Sequence, residues 1–311
     1  MFTLRRHPLN PLIAPRPENS WEMKATFNPA GILGNGLFHL FYRAIDARGI
    51  SSIGYATITR DMETVERSDH PIMTPDQQWE ELGCEDPRIT RIGDLHYMLY
   101  TAYSRRGPRI ALASSFDLKQ FAKIGLIGPD LPDKDSTLFP EIINGKLAMI
   151  HRIEPSMQIA YFDITRFERL SDLSIRSQYW TEYLHNLDAY TIMRPKESWE
   201  ERKIGVGPPP IRTPAGWLII YHGVDSDFVY RAGAALADLD EPKKIVARSR
   251  TPILEPKEPY EKCGSVQHII FPEAAMISDK ILYVFYGAAD TVCCVATAPL
   301  EELLKWLGQQ Q

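Results

Sequence analysis

Phe38-His39-Leu40-Phe41-Tyr42-Arg43 decides the reading of the fold, because four later apolar runs end in a similar way. These are Tyr97-Met98-Leu99-Tyr100-Thr101, Leu147-Ala148-Met149-Ile150-His151-Arg152, Trp217-Leu218-Ile219-Ile220-Tyr221-His222 and Leu282-Tyr283-Val284-Phe285-Tyr286-Gly287. With Tyr42, Tyr100, His151, Tyr221 and Tyr286 aligned, the intervals are 58, 51, 70 and 65 residues, a loose internal period. Each run follows an earlier strand and a turn, the turns being Gly34-Asn35-Gly36, Gly93-Asp94, Asn144-Gly145, Pro214-Ala215-Gly216 and Ser278-Asp279. Most runs lead into a third strand of small and apolar residues, as at 53–58, 110–113, 232–236 and 292–296. A hairpin-rich unit of three or four strands recurring five times predicts an all-β protein, a five-bladed β-propeller. Leu300 to Leu307, after Pro299, reads as one short C-terminal helix. A pair of β-sandwiches is the competing architecture. No linker divides the chain, so one domain over 1–311 is expected, with 178–202 and 129–135 as loops over one face.

The 311 residues are 44% hydrophobic, enough for a full core, and carry a formal net charge of -5. Basic residues gather no further than pairs such as Arg5-Arg6 and Arg105-Arg106, which argues against nucleic-acid or anionic-membrane partners. The N-terminus lacks a signal-peptide core, and no apolar run approaches the roughly 20 residues of a membrane span. A cytoplasmic location is expected. Cys84, Cys263, Cys293 and Cys294 show no metal-ligand spacing and read as reduced packing residues, with no metal and no cofactor expected.

Chemistry is densest in Gly83-Cys84-Glu85-Asp86-Pro87-Arg88-Ile89-Thr90, which sets two carboxylates and a guanidinium before the apolar run at 95–100. Pro87 is expected to push Asp86 toward an extended conformation at the mouth of a strand. The plainer reading is a surface turn in which Glu85 and Arg88 pair. Equivalent strand ends of a propeller converge on one pocket, and the residue after the aligned aromatic is Arg43, Arg152 or His222 in three of the units. Lys134 and Lys203 lie at the entries to the third and fourth units. Together these cations suit a local anion site in an acidic protein. The structural alternative pairs Arg43 with Asp46 and Arg152 with Glu141.

Carboxylates at comparable positions are Glu85, Asp86, Asp135, Glu141 and Asp290. Glycoside cleavage normally uses two carboxylates. When phosphate is the nucleophile, one acid and a cationic cradle suffice, and that is the pattern here. Gly205-Val206-Gly207 runs into three prolines and cannot open the helix of a dinucleotide site. Trp180, Tyr190, Trp199 and Tyr230 either stack on sugar rings or cap the blades.

From Asn28-Pro29 to Gly287-Ala288-Ala289-Asp290 the chain resembles glycoside hydrolase family 130, the β-mannoside phosphorylases and β-mannosidases. The blocks that carry the resemblance include 83–88, Leu138-Phe139-Pro140-Glu141, Met149-Ile150-His151-Arg152, 203–207 and 217–224. It implies a five-bladed propeller in which inorganic phosphate, as co-substrate, cleaves a non-reducing-end β-mannoside with inversion to give α-mannose 1-phosphate. Asp86 falls on the general acid, which acts through the mannosyl 3-hydroxyl. Arg152, Lys203 and His222 fall on phosphate-contacting positions with Tyr221 beside them, and Lys134 joins that set. Arg43 and Asp290 fall on sugar-pocket positions, and Asn28, Glu85, Arg88, Asp135 and Glu141 complete the expected substrate-binding residues. Lys134-Asp135 in place of Arg-Asn, and Glu85 in place of a Tyr, resemble the branch acting on β-1,2-mannobiose or oligomannan. A hydrolase of the same fold and a non-catalytic glycan-binding propeller are the alternatives. The resemblance also suggests a homo-oligomer, although no apolar stripe marks an interface.

Overall fold

The second strand of each unit explains the architecture, because its residues are apolar on both faces. Side chains alternate along a strand, so a strand buried on both sides reads as a continuous apolar run. In the computed structural model, which describes residues 2–310, Phe38, Leu40 and Tyr42 pack toward Phe285 and Val295, while Phe41 packs toward Met98 and Tyr100. Leu99 faces Leu147 and Met149, Ile150 faces Trp217 and Tyr221, and Leu218 and Ile220 face Val284 and Tyr286. Each unit therefore buries one face on the unit before it and the other on the unit after it. The fifth packs against the first.

The units are antiparallel meanders. The first holds Ala25–Gly34, Leu37–Ile45, Ser51–Ile58 and Thr64–Arg67; the second holds Gly83–Ile92, Leu95–Ser104, Gly107–Ser115 and Ala122–Leu126. A single parallel bridge, Ser51 to Gly83, joins these two into one eight-stranded sheet. The third holds Lys134–Ile143, Lys146–Arg152, Met157–Phe162 and Thr191–Met193. In the fourth, Lys203–Val206 and Ile211–Thr213 both pair with Gly216–Val224, followed by Tyr230–Ala237 and Ile245–Arg248. The fifth, Ile270–Ser278, Ile281–Ala288 and Val292–Pro299, takes its outer strand from the N-terminus, where Arg5–Arg6 pairs with Thr297 and Ala296. The protein is thus all-β with a short C-terminal helix, Leu300–Gly308, and none of its sheets among the described residues closes on itself. The first and last residues of the 1–311 span lie outside the described residues.

The expected turns form. Asn35-Gly36 and Asn144-Gly145 have positive φ at both residues, as tight hairpins of this hand require. The expected loop at 178–202 is different: Leu173–His185 is a helix whose N-cap, Asp172, accepts from the Ser174 and Ile175 amides. Its Trp180 and Tyr183 are buried against the third unit, so packing decides a helix that sequence periodicity does not announce. Cys84, Cys293 and Cys294 are fully buried, and burial pushes the Cys84 thiol well up, which suits packing and not reactivity.

A clasp recurs at the aligned aromatic. Tyr42, Tyr100, Tyr221 and Tyr286 each donate to a buried glutamate from the preceding connection, Glu22, Glu80, Glu200 and Glu261 respectively. Each glutamate also pairs with a cation on the unit's outer strand: Arg67, Lys123, Arg248 or Arg6. The third unit substitutes His151, which lies 2.8 Å from Asp133 Oδ2 and 2.8 Å from the Tyr183 hydroxyl. Removing Glu200 strands a guanidinium and a phenol in a largely dry site. Glu200→Ala is therefore expected to lower the unfolding free energy by about 3 kcal/mol, read from denaturant midpoints, whereas exposed Glu201→Ala changes it by less than about 0.5 kcal/mol.

Candidate active site

The first strands of three units carry a bulge with a left-handed residue at equivalent places: Asn28 (φ 49°), Asp86 (φ 48°) and Asp135 (φ 53°). Asn and Asp tolerate this region better than other side chains, and such strain collects at functional sites. Asp86 is thus not extended as Pro87 led one to expect. The bulge instead turns its carboxylate into a buried cluster.

Asp86 Oδ1 accepts from Asn28 Nδ2 at 2.9 Å and from Arg43 Nη1 at 3.2 Å. Arg43 also reaches Glu85 at 2.6 Å and donates from Nε to Ser51 Oγ, with its guanidinium 4.8 Å over the Phe27 ring. Arg88 is wholly buried and does not pair with Glu85 at the surface. It donates to the carbonyls of Asp86, Val206 and Gly207, and lies 3.0 Å from Glu273 and 3.5 Å from Asp135.

Beside this acidic end lies a basic one. Arg152 Nη1 is 2.9 Å from Asp135 and Nη2 is 3.2 Å from Glu154, to which Lys203 Nζ also donates at 2.8 Å. His222 packs its ring on Phe271 and stacks with Tyr230, its Nε2 3.5 Å from Asp135. Gly205 makes this packing possible, since a Cβ there would sit 2.5 Å from both Asp135 Oδ2 and the His222 ring. Arg152 Nε and His222 Nδ1 are buried with no hydrogen-bond partner, as is Asn28 Oδ1. Buried polar atoms without partners are costly, and of these three the Arg152 and His222 nitrogens are the ones that an anionic ligand could satisfy.

The charges perturb one another. Burial pushes the Asp86 carboxyl up, but Arg43, Lys134, Arg88 and the Asn28 amide outweigh it and hold Asp86 below the usual carboxylate range. Glu85 goes the other way, raised by burial and by Asp86 against the pull of Arg43. Glu273 is pushed well up, chiefly by burial. Burial, reinforced by Arg152, Arg88 and Lys203, keeps His222 neutral despite Asp135. Asp290 (φ 49°) is raised by burial to about 6, with Arg43 opposing and Asp86 reinforcing the shift.

The structure gathers Asn28, Arg43, Glu85, Asp86, Arg88, Lys134, Asp135, Arg152, Lys203, His222 and Asp290 in one region. Two expected residues lie elsewhere. Tyr221 points to Glu200 and Arg248, because alternation sends it to the face opposite His222. Glu141 stands at the far end of its strand and pairs with Arg212 on the surface. The alternative pairings also fail: Arg48 takes Asp46, and Arg43 and Arg152 serve the cluster. Of the four loop aromatics, Trp180, Tyr190 and Trp199 pack within the units and Tyr230 joins the site. Glu273 and Glu154 went unread in the sequence. The signal for Glu273 was an acid inside an apolar run, Ile270-Phe271-Pro272-Glu273-Ala274-Ala275-Met276. No cluster of three or more metal-ligating side chains occurs among the described residues.

A family model described as beta-1,4-mannooligosaccharide phosphorylase matches residues 3–309. The chain is 39% identical to a 1,2-beta-oligomannan phosphorylase of Thermoanaerobacter sp. (strain X514), over 97% of this chain and 99% of that one. It is 41% identical, with the same coverage, to a beta-1,2-mannobiose phosphorylase of the same organism. The solved structure of the Listeria innocua beta-1,2-mannobiose phosphorylase with beta-1,2-mannobiose superposes with a TM-score of 0.82 at 26% identity, covering 98% of this chain and 99% of that one. A further solved structure, described as belonging to the GH130 family of mannoside phosphorylases containing hydrolases that target beta-1,2 mannosidic linkages in Candida mannan, gives a TM-score of 0.84 at 26% identity, covering 97% of this chain and 95% of that one. By sequence over residues 3–309 and by fold, the chain belongs to glycoside hydrolase family 130.

Proposed function

We propose that this chain is a β-mannoside phosphorylase that cleaves β-1,2-mannobiose or β-1,2-oligomannan from the non-reducing end with inorganic phosphate, releasing α-mannose 1-phosphate. The observation that carries the reading is the pair of orphaned buried donors, Arg152 Nε and His222 Nδ1, beside Lys134 and Lys203 and across the cluster from Asp86. The names of the relatives at 39% and 41% identity support the β-1,2 linkage over the β-1,4 linkage in the family description.

In this reading phosphate sits on Arg152, Lys203, His222 and Lys134 and attacks the anomeric carbon. The glycosidic bond breaks on the opposite face, and Asp86 supplies the proton through the mannosyl 3-hydroxyl. Asp86 is anionic in the free protein, since Arg43, Lys134 and Arg88 hold it down. A phosphate anion on Lys134, the cation that the cradle shares with this set, offsets part of that pull and raises Asp86 toward the range a general acid needs. Arg43, Asn28, Glu85, Asp135 and Asp290 hold the mannosyl unit, and Arg88 supports the bulge that carries Asp86.

The same reading takes the five meanders as the blades of one single-domain propeller. Two observations support it: the cyclic order in which the units pack, and a depression of about 290 Å³ lined by the first strands of all five, from Ile32, Ile89, Pro140, Ile211 and Ala275. A cytoplasmic enzyme fits the absence, among the described residues, of any helix long and apolar enough to cross a membrane.

The test is to incubate the protein with β-1,2- and β-1,4-mannobiose, each with and without phosphate. Phosphate-dependent mannose 1-phosphate from the β-1,2 disaccharide is expected; free mannose released equally without phosphate would make the chain a hydrolase. Arg152→Ala is expected to raise the phosphate KM on the order of 30-fold and the mannoside KM far less, since of the two substrates only the anion takes a charge-assisted contact from it. Asp290 gives a pH signature. Its raised value means that the folded state holds a proton the unfolded chain has lost between about pH 4 and 6, so its contribution to stability is lost as pH rises through that window. Asp290→Asn is expected to remove this slope and to be the more stable protein at pH 7 by about 2 kcal/mol, measured by urea unfolding at pH 4.5 and 7.

A further inference from the structure

Glu154 is a solvent-facing carboxylate that touches two of the proposed phosphate-binding cations, Arg152 and Lys203. It lies in the turn after Lys146–Arg152, its side chain 56% exposed, and its Oε1 lies 2.8 Å from Lys203 Nζ and 3.2 Å from Arg152 Nη2. Burial pushes it up, but Lys203, Arg152 and Lys134 outweigh that and keep it ionised. A cavity of about 350 Å³ opens beside it, lined by Lys134, Arg152 and Asp133 among others. Asp135 holds the other end of the Arg152 guanidinium from within, buried and at 2.9 Å, while Arg152 Nε stays unpartnered. Arg152 is thus bound on its inner side by a carboxylate that cannot leave and on its outer side by one that can swing into solvent.

We propose that Glu154 is a built-in competitor for inorganic phosphate: its carboxylate pairs with Arg152 and Lys203 and is displaced when phosphate enters. This rests on the phosphorylase reading and deepens it by naming the residue that sets the phosphate affinity. An ionised oxygen bridging an ammonium and a guanidinium makes the kind of contact that a phosphate oxygen would make there. Each phosphate must therefore break two charge-assisted contacts before making its own. The exposure of Glu154 keeps that barrier low, because a half-solvated pair is worth little. The buried Asp135 contact has no such exit and serves to hold Arg152 in place. When mannose 1-phosphate leaves, Glu154 re-forms the pair and lowers the affinity of the cradle for its product.

The experiment measures initial rates against phosphate and against β-1,2-mannobiose for the wild type, Glu154→Gln and Glu154→Asp, with calorimetric titration of inorganic phosphate into each. Glu154→Gln removes the charge at constant size on an exposed turn. The expected result is a fall in its phosphate KM and dissociation constant of about three- to tenfold, tighter inhibition by mannose 1-phosphate, and no matching fall in the mannoside KM. Glu154→Asp, with its carboxylate drawn back by one methylene, is expected to fall between the two. A phosphate KM that rises or stays the same in Glu154→Gln would show that Glu154 positions the cations or plays no part. With phosphate-dependent turnover intact in the wild type, that result sinks this inference and leaves the phosphorylase reading standing. A wild type that releases mannose without phosphate overturns both.

Discussion

The guanidinium of Arg88 is the interaction on which the centre of this molecule depends. It is almost wholly withdrawn from water, and a charge so placed persists only when its donors and its charge are met. Arg88 meets them by reaching out of its own unit: to carbonyls of residues 206 and 207 in the fourth, to Asp135 in the third and to Glu273 in the fifth. Its remaining bond, to the Asp86 carbonyl, holds the bulge that aims the Asp86 carboxylate. A planar fork of donors can join so many partners at once, whereas a lysine ammonium is a single point charge. The site is therefore positioned by the same contacts that hold the units together at their centre.

Gly207 shows how closely the centre is packed. A Cβ there would lie 2.5 Å from the Pro272 carbonyl, so the first strands of the fourth and fifth units meet only because no side chain intervenes. With Gly205 admitting His222, the two glycines of Gly205-Val206-Gly207 serve close approach of the backbone, in place of the phosphate loop that their spacing superficially suggests. The recurrent Tyr-Glu-cation clasp does for the periphery what Arg88 does for the centre. In the third unit the clasp gives way to His151, Asp133 and Tyr183, and the Asp133 carboxylate also accepts the Arg152 amide. The exception to the repeat thus lies next to the cation cluster.

Electrostatically the site is a balance of near neighbours. Asp86 is kept ionised by cations, while Glu85, Glu273 and Asp290 are raised by burial and by the Asp86 charge. Like charges cannot all ionise in so small a volume, so the carboxyl groups divide into those that hold protons and those that do not. On the basic side, Asp135 and Glu154 already compensate Arg152 and Lys203, which allows the cations to be gathered without repelling one another.

Much of this was legible in the chain itself. The five apolar runs, their turns and their spacing were local signals, as were the short C-terminal helix and the acid-Pro-Arg stretch at 85–88. Arg43, Arg152 and His222 were found by matched positions in the repeat, since strand periodicity carries a side-chain direction with it. That rule also tells against Tyr221, the neighbour of His222, which alternation turns away. Other features had no local signal. The pairing of Arg5–Arg6 with residues 296–297 joins opposite ends of the chain, the helix at 173–185 is stabilised by the surface it covers, and the left-handed Asp86 defies the preference that Pro87 imposes. The sequence by itself determined the elements and the faces on which their side chains stand, because those depend on neighbours one to four residues away. Only the tertiary structure decided which polar groups meet, because a contact such as Arg88 to Glu273 spans 185 residues and is selected by burial at a shared centre.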